Sequence, residues 1–406
     1  MPKRAIAWRL MPLSLSLNRV TGETRTTEAI LERLVGFDTT SRLSNLELIS
    51  YIQSYLQDFE IESEIQLNEE GSKANIIATI GPNEPGGVVL SGHTDVVPVD
   101  GQDWTMDPFT LTEKDGKLYA RGSADMKGFI ASALAAVPAF KAAELKRPIH
   151  FAFTYDEEVG CLGIQSLLPL MKDHIAAPRL VVVGEPTSMQ VANAHKGQYV
   201  SKTRIWGREA HSSRPEDGIN AVAVAAELIT FIGSLGAKAR IHGPHDDSFD
   251  PTYTSFNVGP ISGGSAFNII PNYCEFDWEF RAVPTADPAA ILKAYTDFLD
   301  NVINPHLQAS FPECRAENTV WAYLPPLKAE PGSDAETLAL ALAGRNDTTV
   351  VAFGTEAGHI QSIDFPAVVC GPGDIAQAHK PDEYIDRSQL DACDAFMKRL
   401  AEVMGS

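Results

Sequence analysis

The sequence predicts an α/β protein: a mostly parallel sheet with helices on both faces, interrupted by an inserted α+β unit. Three observations carry this. Short apolar stretches at 87–90, 148–154, 180–183 and 367–370 read as buried strands, with helical periodicity filling the intervals between strands. Near Lys196 the alternation gives way to a β-α-β-β-α-β order. Each apolar stretch is followed by a histidine or an acid, where open sheets place their ligands.

The elements follow in chain order. Residues 1–25 hold Lys3, Arg4, Arg9, Arg19 and Arg25 against one acid, Glu23, and lack a continuous apolar core, which argues against a secretory signal. They read as a dispensable extension, with a transit peptide or a start at Met11 as alternatives. Helices are expected at about 26–36 and 45–58, and an Ala-rich one at about 129–143. Residues 26–195 form the first part of the main domain, 196–308 the inserted domain and 309–406 the second part. Within the insertion, strands are expected from 198 to 206, 253 to 262 and 272 to 282, with helices at 218–235 and 287–302. Alternation returns near 313, so hinges are expected at 195–197 and 303–312. The Gly/Pro/Asp-rich run 243–252 reads as a surface loop.

Chemistry gathers at the strand ends. Ser91-Gly92-His93-Thr94-Asp95 follows the first apolar stretch. A metal-binding His commonly donates its other ring N–H to a carboxylate, which gives a His-X-Asp pair a use. Tyr155-Asp156-Glu157-Glu158 follows the second stretch, Glu185 the third, and His379 lies beyond the fourth. Taken singly, these are loop acids, a turn residue and a surface histidine. Asp125 precedes the Ala-rich helix and reads as a helix cap or as a carboxylate aimed into a cleft. Mixed His and carboxylate donors without Cys suit zinc, cobalt or manganese. The excess of carboxylates suggests two ions ~3.5–4 Å apart with one acid bridging them.

Together these stretches resemble the M20 family of metallopeptidases and amidohydrolases across residues 26–400, with the motifs in family order. The resemblance implies that His93, Asp125 and Glu185 hold one divalent ion and Asp125, Glu158 and His379 the other, with zinc the first choice. It assigns Asp95 as the partner of His93 and Glu157 as the general base. Arg208-Glu209-Ala210-His211-Ser212-Ser213-Arg214-Pro215 resembles the family's lid motif, whose histidine acts in the partner subunit, so a homodimer through the lid is implied. Asn268, Arg281, Thr355 and Glu356 match substrate-contacting positions, Arg281 gripping a carboxylate. Glu356 is expected at the cleft mouth, either attracting a distal ammonium or serving as a helix-start carboxylate. Flanking stretches, among them 104–109, 184–188, 194–197, 355–357 and 371–384, favour members whose substrate is a small N-acyl amino acid with a basic side chain.

Composition bounds the rest. At 406 residues the chain can form two domains, and its net charge of −20 argues against nucleic acid or an anionic membrane as partner. The cysteines at 161, 274, 314, 370 and 393 are scattered, with no Cys-X-X-Cys, which fits reduced thiols in a cytoplasmic protein. The apolar runs fall short of a membrane span.

Overall fold

A computed structural model describes residues 25–406. All of the expected extension except Arg25 lies outside the described residues. The main domain is built on an eight-stranded sheet in the order Ser63–Leu67, Ala74–Ile80, Ile149–Thr154, Val88–His93, Leu180–Pro186, Ala367–Gly371, Val191–His195, Thr348–Val351. Its centre, from Ile149–Thr154 to Ala367–Gly371, is parallel throughout. Antiparallel pairs join Ser63–Leu67 to Ala74–Ile80 and the latter to Ile149–Thr154. The sheet is therefore mixed but mostly parallel, as expected.

The central strands read as unbroken apolar runs because both faces are covered. Alternate residues serve opposite faces, by the two-residue period of a strand. Val88, Leu90, Leu180 and Val182 pack under the helices Thr27–Val35, Leu46–Gln57, Gly128–Ala135 and Arg387–Gly405. Val89, Val181 and Val183 pack under Leu162–His174 and Ala357–Gln361. Gly184 is required at one close approach: a Cβ there would stand 2.1 Å from the Phe129 ring. That contact seats the Gly128–Ala135 helix on the strand that carries Glu185.

The inserted domain is a second sheet, ordered Ser255–Gly263, Tyr273–Ala282, Gly197–Trp206, Arg315–Leu324 and antiparallel throughout. Ile205, Phe276, Trp278 and Phe280 pack against Leu228 and Ile232 of the helix Ala221–His242 and against Tyr295. The opposite face is charged, with Lys202 paired to Asp277 at 3.0 Å and Arg204 to Glu275 at 3.4 Å.

Two expectations need correction. The insertion does not end at 308, and 303–312 is not a hinge. Arg315–Leu324 pairs along nearly its whole length with Gly197–Trp206, so the chain returns at 325–327. The segment 303–312 is instead largely the helix Asn304–Ser310, within the insertion. The first crossing is where it was expected, since Lys196 separates the strands Val191–His195 and Gly197–Trp206. Secondly, one described helix, Ala221–His242, is long and apolar enough to cross a membrane. Its buried residues Ala221, Ala225, Leu228 and Ile232 recur at helical spacing and pack in the lid core.

Candidate dinuclear metal site

The site forms where the parallel strands end. His93 is the last residue of its strand and is 1% exposed. Its Nε2 lies 3.1 Å from Asp125 Oδ1 and 3.6 Å from Glu185 Oε1. Across the site, His379 Nε2 lies 3.2 Å from Asp125 Oδ2 and 3.0 Å from Glu158 Oε2. The two oxygens of Asp125 thus face two different histidines, which is the geometry of a bridging carboxylate. Asp125 does not cap the helix Gly128–Ala135; it sits in a tight turn, Ser123–Lys127, that ends where the helix begins.

The donor set fits divalent cations. Two clusters, His93 with Glu157 and Glu185, and His93 with Asp125 and Glu158, each place their ligand atoms within 4.8 Å of one another. Burying four carboxylates together is unfavourable unless positive charge joins them. The titration of these groups registers that strain. Burial pulls His93 toward its neutral form, yet Glu185, Asp125 and Glu157 outweigh it and raise its pKa well above the ordinary value. His379, hydrogen-bonded to Asp125 and Glu158, is pushed up to about 10. Burial raises Glu185 well above the carboxylate range, with Asp125 adding to it and His93 opposing. Cations would lower every one of these costs.

Asp95 partners His93, chiefly through its main chain, and has a further role. The His93 Nδ1 hydrogen bond goes to the main-chain oxygen of Asp95 at 2.9 Å, while the nearer carboxylate oxygen stands at 3.6 Å. That carboxylate instead accepts the backbone N–H groups of Glu157 at 3.1 Å and Glu158 at 3.3 Å. It orders the turn that presents the base and a ligand. Asp156 turns away and pairs with Lys73 at 2.5 Å. The surroundings raise Glu157 well above the carboxylate range, chiefly by burial, with His93 opposing and Glu158 and Glu356 adding.

The remaining expected residues divide into two groups. Thr355 and Glu356 are buried rather than at the cleft mouth. The Thr355 hydroxyl accepts from the Ala357 N–H at 3.1 Å, just ahead of the helix Ala357–Gln361. Glu356 is 1% exposed, its carboxylate makes no ion pair among the described residues, and the Thr154 hydroxyl lies near enough to favour its charged form. The core-packed Ala357 and Ile360 draw it inward. Burial pushes its pKa to about 7.

His211, Asn268 and Arg281 lie on the insertion. His211 and Asn268 are neighbours: Ala210–His211 pairs with Ile269–Ile270, and Ser212 N–H donates to the Asn268 carbonyl at 3.0 Å. Both are exposed, and the His211 Nδ1 is 2.8 Å from Ser213 Oγ. Arg281 rests 3.2 Å from Glu279. Among the described residues, no hydrogen bond or ion pair joins these three to the strand-end cluster.

Sequence reading missed several supporting groups. Ser41 Oγ donates to Asp95 Oδ2 at 2.7 Å, and Cys161 Sγ donates to Glu157 Oε1 at 3.3 Å. Nothing local marks Ser41, which lies 54 residues from its partner. Cys161 is four residues past Glu157 and was read only for its redox state. All five cysteines are buried thiols.

A mostly parallel sheet whose strand ends gather two histidines around a shared aspartate, with Glu157 beside them and an inserted second domain, has the features of a metal-dependent hydrolase. The chain belongs to peptidase family M20/M25/M40, whose model matches residues 89–403. It is 36% identical over 379 residues to an acetylornithine deacetylase of Myxococcus xanthus, covering 91% of this chain and 95% of the relative. It is 36% identical over 368 residues to one of Proteus mirabilis, covering 90% and 92%. Among solved structures it is similar to an M20 family metallo-carboxypeptidase of Sulfolobus solfataricus, with TM-score 0.73 and 17% identity over 93% of this chain and 99% of the other. A dinuclear metal-binding M20 peptidase of Bacillus subtilis matches with TM-score 0.59 and 16% identity over 93% and 98%.

Proposed function

We propose that the protein removes the acetyl group from N2-acetyl-L-ornithine, giving L-ornithine and acetate, a step of arginine biosynthesis. The observation that carries the substrate choice is Glu356, a buried carboxylate with the Thr154 hydroxyl nearby but no ion-pair partner among the described residues. A distal ammonium on the substrate would complete it. The names of relatives sharing 36% identity point the same way.

His93, Asp125 and Glu185 would hold one ion, and Asp125, Glu158 and His379 the other. Zinc suits the nitrogen and oxygen donors best, with cobalt or manganese as alternatives. Bound here, such ions polarise an amide carbonyl and acidify water. The chain's own residues do the rest. Glu157 accepts the proton of the attacking water and returns it to the departing amine nitrogen. Asp95 and Cys161 fix its backbone and one of its oxygens. Arg281 would pair with the substrate α-carboxylate and Asn268 would contact the amide. His211, with its outward-facing ring, would stabilise the oxyanion in the partner subunit of a homodimer formed through the lid.

The test is a panel of N-acyl amino acids and dipeptides assayed with metal-loaded protein and metal content measured in parallel. The highest kcat/KM is expected for acetylornithine. Acetylcitrulline, succinyl-diaminopimelate or a dipeptide in first place would replace this reading with that of a related hydrolase. A human carnosine dipeptidase shares the fold at TM-score 0.69, so the dipeptide arm is a fair competitor.

A further inference from the structure

Two stretches of the sequence, 104–109 and 381–384, carry no ligand, yet the structure clamps them together behind the cluster. At the centre are Arg121 and Glu383, each 1% exposed. Arg121 Nη1 donates to Glu383 Oε2 at 2.6 Å. The other oxygen of Glu383 accepts the backbone N–H groups of Ala124 at 3.0 Å and Asp125 at 3.1 Å. Arg121 Nη2 donates to Gln102 Oε1 at 2.5 Å, and the Trp104 indole N–H donates to the same oxygen at 2.9 Å. The Trp104 ring lies 5.0 Å from the guanidinium carbon. Finally, Gln102 Nε2 donates to the main-chain oxygen of His379 at 2.9 Å.

The chain of contacts therefore ends on two metal-site residues, Asp125 and His379, and holds both by their backbones. The two are not equally supported otherwise. Asp125 is buried in its turn, whereas the His379 side chain is 52% exposed and its backbone has φ of 62°, in the left-handed region. A half-exposed ligand in such a conformation depends on whatever fixes its peptide plane.

We infer that Gln102, Arg121 and Glu383 are positioning residues that set the half of the site made by Asp125, Glu158 and His379, with Gln102 the specific tether of His379. This rests on the two-ion reading above. Loss of a group that orients a ligand typically weakens metal binding ~10–100-fold. Loss of the Gln102 tether should fall on one ion only, because His93 and Glu185 are held by their own strands.

Glu383→Gln is the obvious variant, but it leaves Arg121 buried without its charge partner and threatens folding. Gln102, partly exposed, gives the cleaner test. Gln102→Ala removes every contact. Gln102→Glu keeps an acceptor for Arg121 and Trp104 while losing the donor to His379. Cobalt-loaded full-length enzyme would be challenged with graded chelator, following retained cobalt by metal analysis and visible absorption. Two release steps are expected in the parent. In both variants one step should move to ~10–100-fold lower chelator and the other should stay. The thermal midpoint of Gln102→Glu should remain near that of the parent. Unchanged release in both variants would overturn the inference. So would two steps shifted alike in proportion to a fall in thermal midpoint, which is merely structural loosening. A parent that releases a single ion refutes the two-ion reading instead; the tether is then supported if both variants loosen that ion and refuted if they do not.

Discussion

His93 and His211 are both assigned to one active site, yet they are built on opposite terms. His93 ends a central strand, is enclosed, and has both ring nitrogens engaged, Nδ1 with a carbonyl at 2.9 Å and Nε2 with Asp125 at 3.1 Å. His211 lies in a short pairing on the insertion, exposed, with only Nδ1 engaged, by Ser213 at 2.8 Å. The first belongs to a preassembled centre. The second is exposed on the insertion, and its proposed role needs closure of the insertion or a second subunit to bring it to a site. On the proposed roles, the comparison teaches that proton chemistry and charge stabilisation would be housed in different domains.

The sharpest test of the preassembled side is Glu157→Gln. Turnover should fall ~10²–10⁴-fold while both metals stay bound, because Glu157 is the free acid beside ligand Glu158. Near-normal kcat would remove it as the base. On the presented side, His211→Ala should lower kcat ~10²–10³-fold, the usual cost of an oxyanion donor, with metal content intact. Mixing that variant with Glu157→Gln should restore part of the activity through dimers holding one intact composite site. Absence of recovery after demonstrated subunit exchange would return His211 to its own chain.

A smaller effect is expected between the two units. Glu356→Gln should raise KM for acetylornithine about thirtyfold, the lower end of the ~2–5 kcal/mol cost of truncating one partner of a buried charge pair, and leave acetylmethionine, which has no distal charge, little changed. Equal effects on both substrates would make Glu356 a support of the site rather than a selector. The smallest effect concerns residues 1–25, which hold none of the assigned groups. Their deletion should leave activity and thermal midpoint nearly unchanged, and a large fall in either would give them a packing role.

The sequence reading reached the preassembled side more fully than the presented one, for a physical reason. Buried parallel strands must be apolar, so Val88–Leu90 or Leu180–Val183 stand out, and the polar residues that end them stand out in turn. Glu158, Glu185 and His379 were legible as candidates in that way, whereas Asp125 was marked by its place before the Ala-rich helix, and the ligand roles of all four came from the family resemblance. The Arg315–Leu324 strand was not, since its burial is irregular and five of its ten residues carry polar or charged side chains, Arg315, Glu317, Asn318, Thr319 and Tyr323. It was therefore assigned to the wrong domain. The depth of Glu356 was equally hidden. Ala357 and Ile360, which follow it on the core-packed helix, and Thr154 at the end of the strand Ile149–Thr154 surround that carboxylate only in the folded chain. The Gln102–Arg121–Glu383 clamp joins residues up to 281 positions apart only through the fold, counting from Gln102 to Glu383.

The two crossings between the domains lie side by side. His195 N–H donates to the Leu327 carbonyl at 3.3 Å just as one strand leaves and the other arrives. An insertion whose ends meet is a cassette: the host sheet on either side needs only a short linker to close the gap. Residues 196–326 could thus be exchanged for another unit without altering the order of the main sheet. Such an exchange would carry away His211, Asn268 and Arg281 while leaving the strand-end cluster and Glu356 in the host domain.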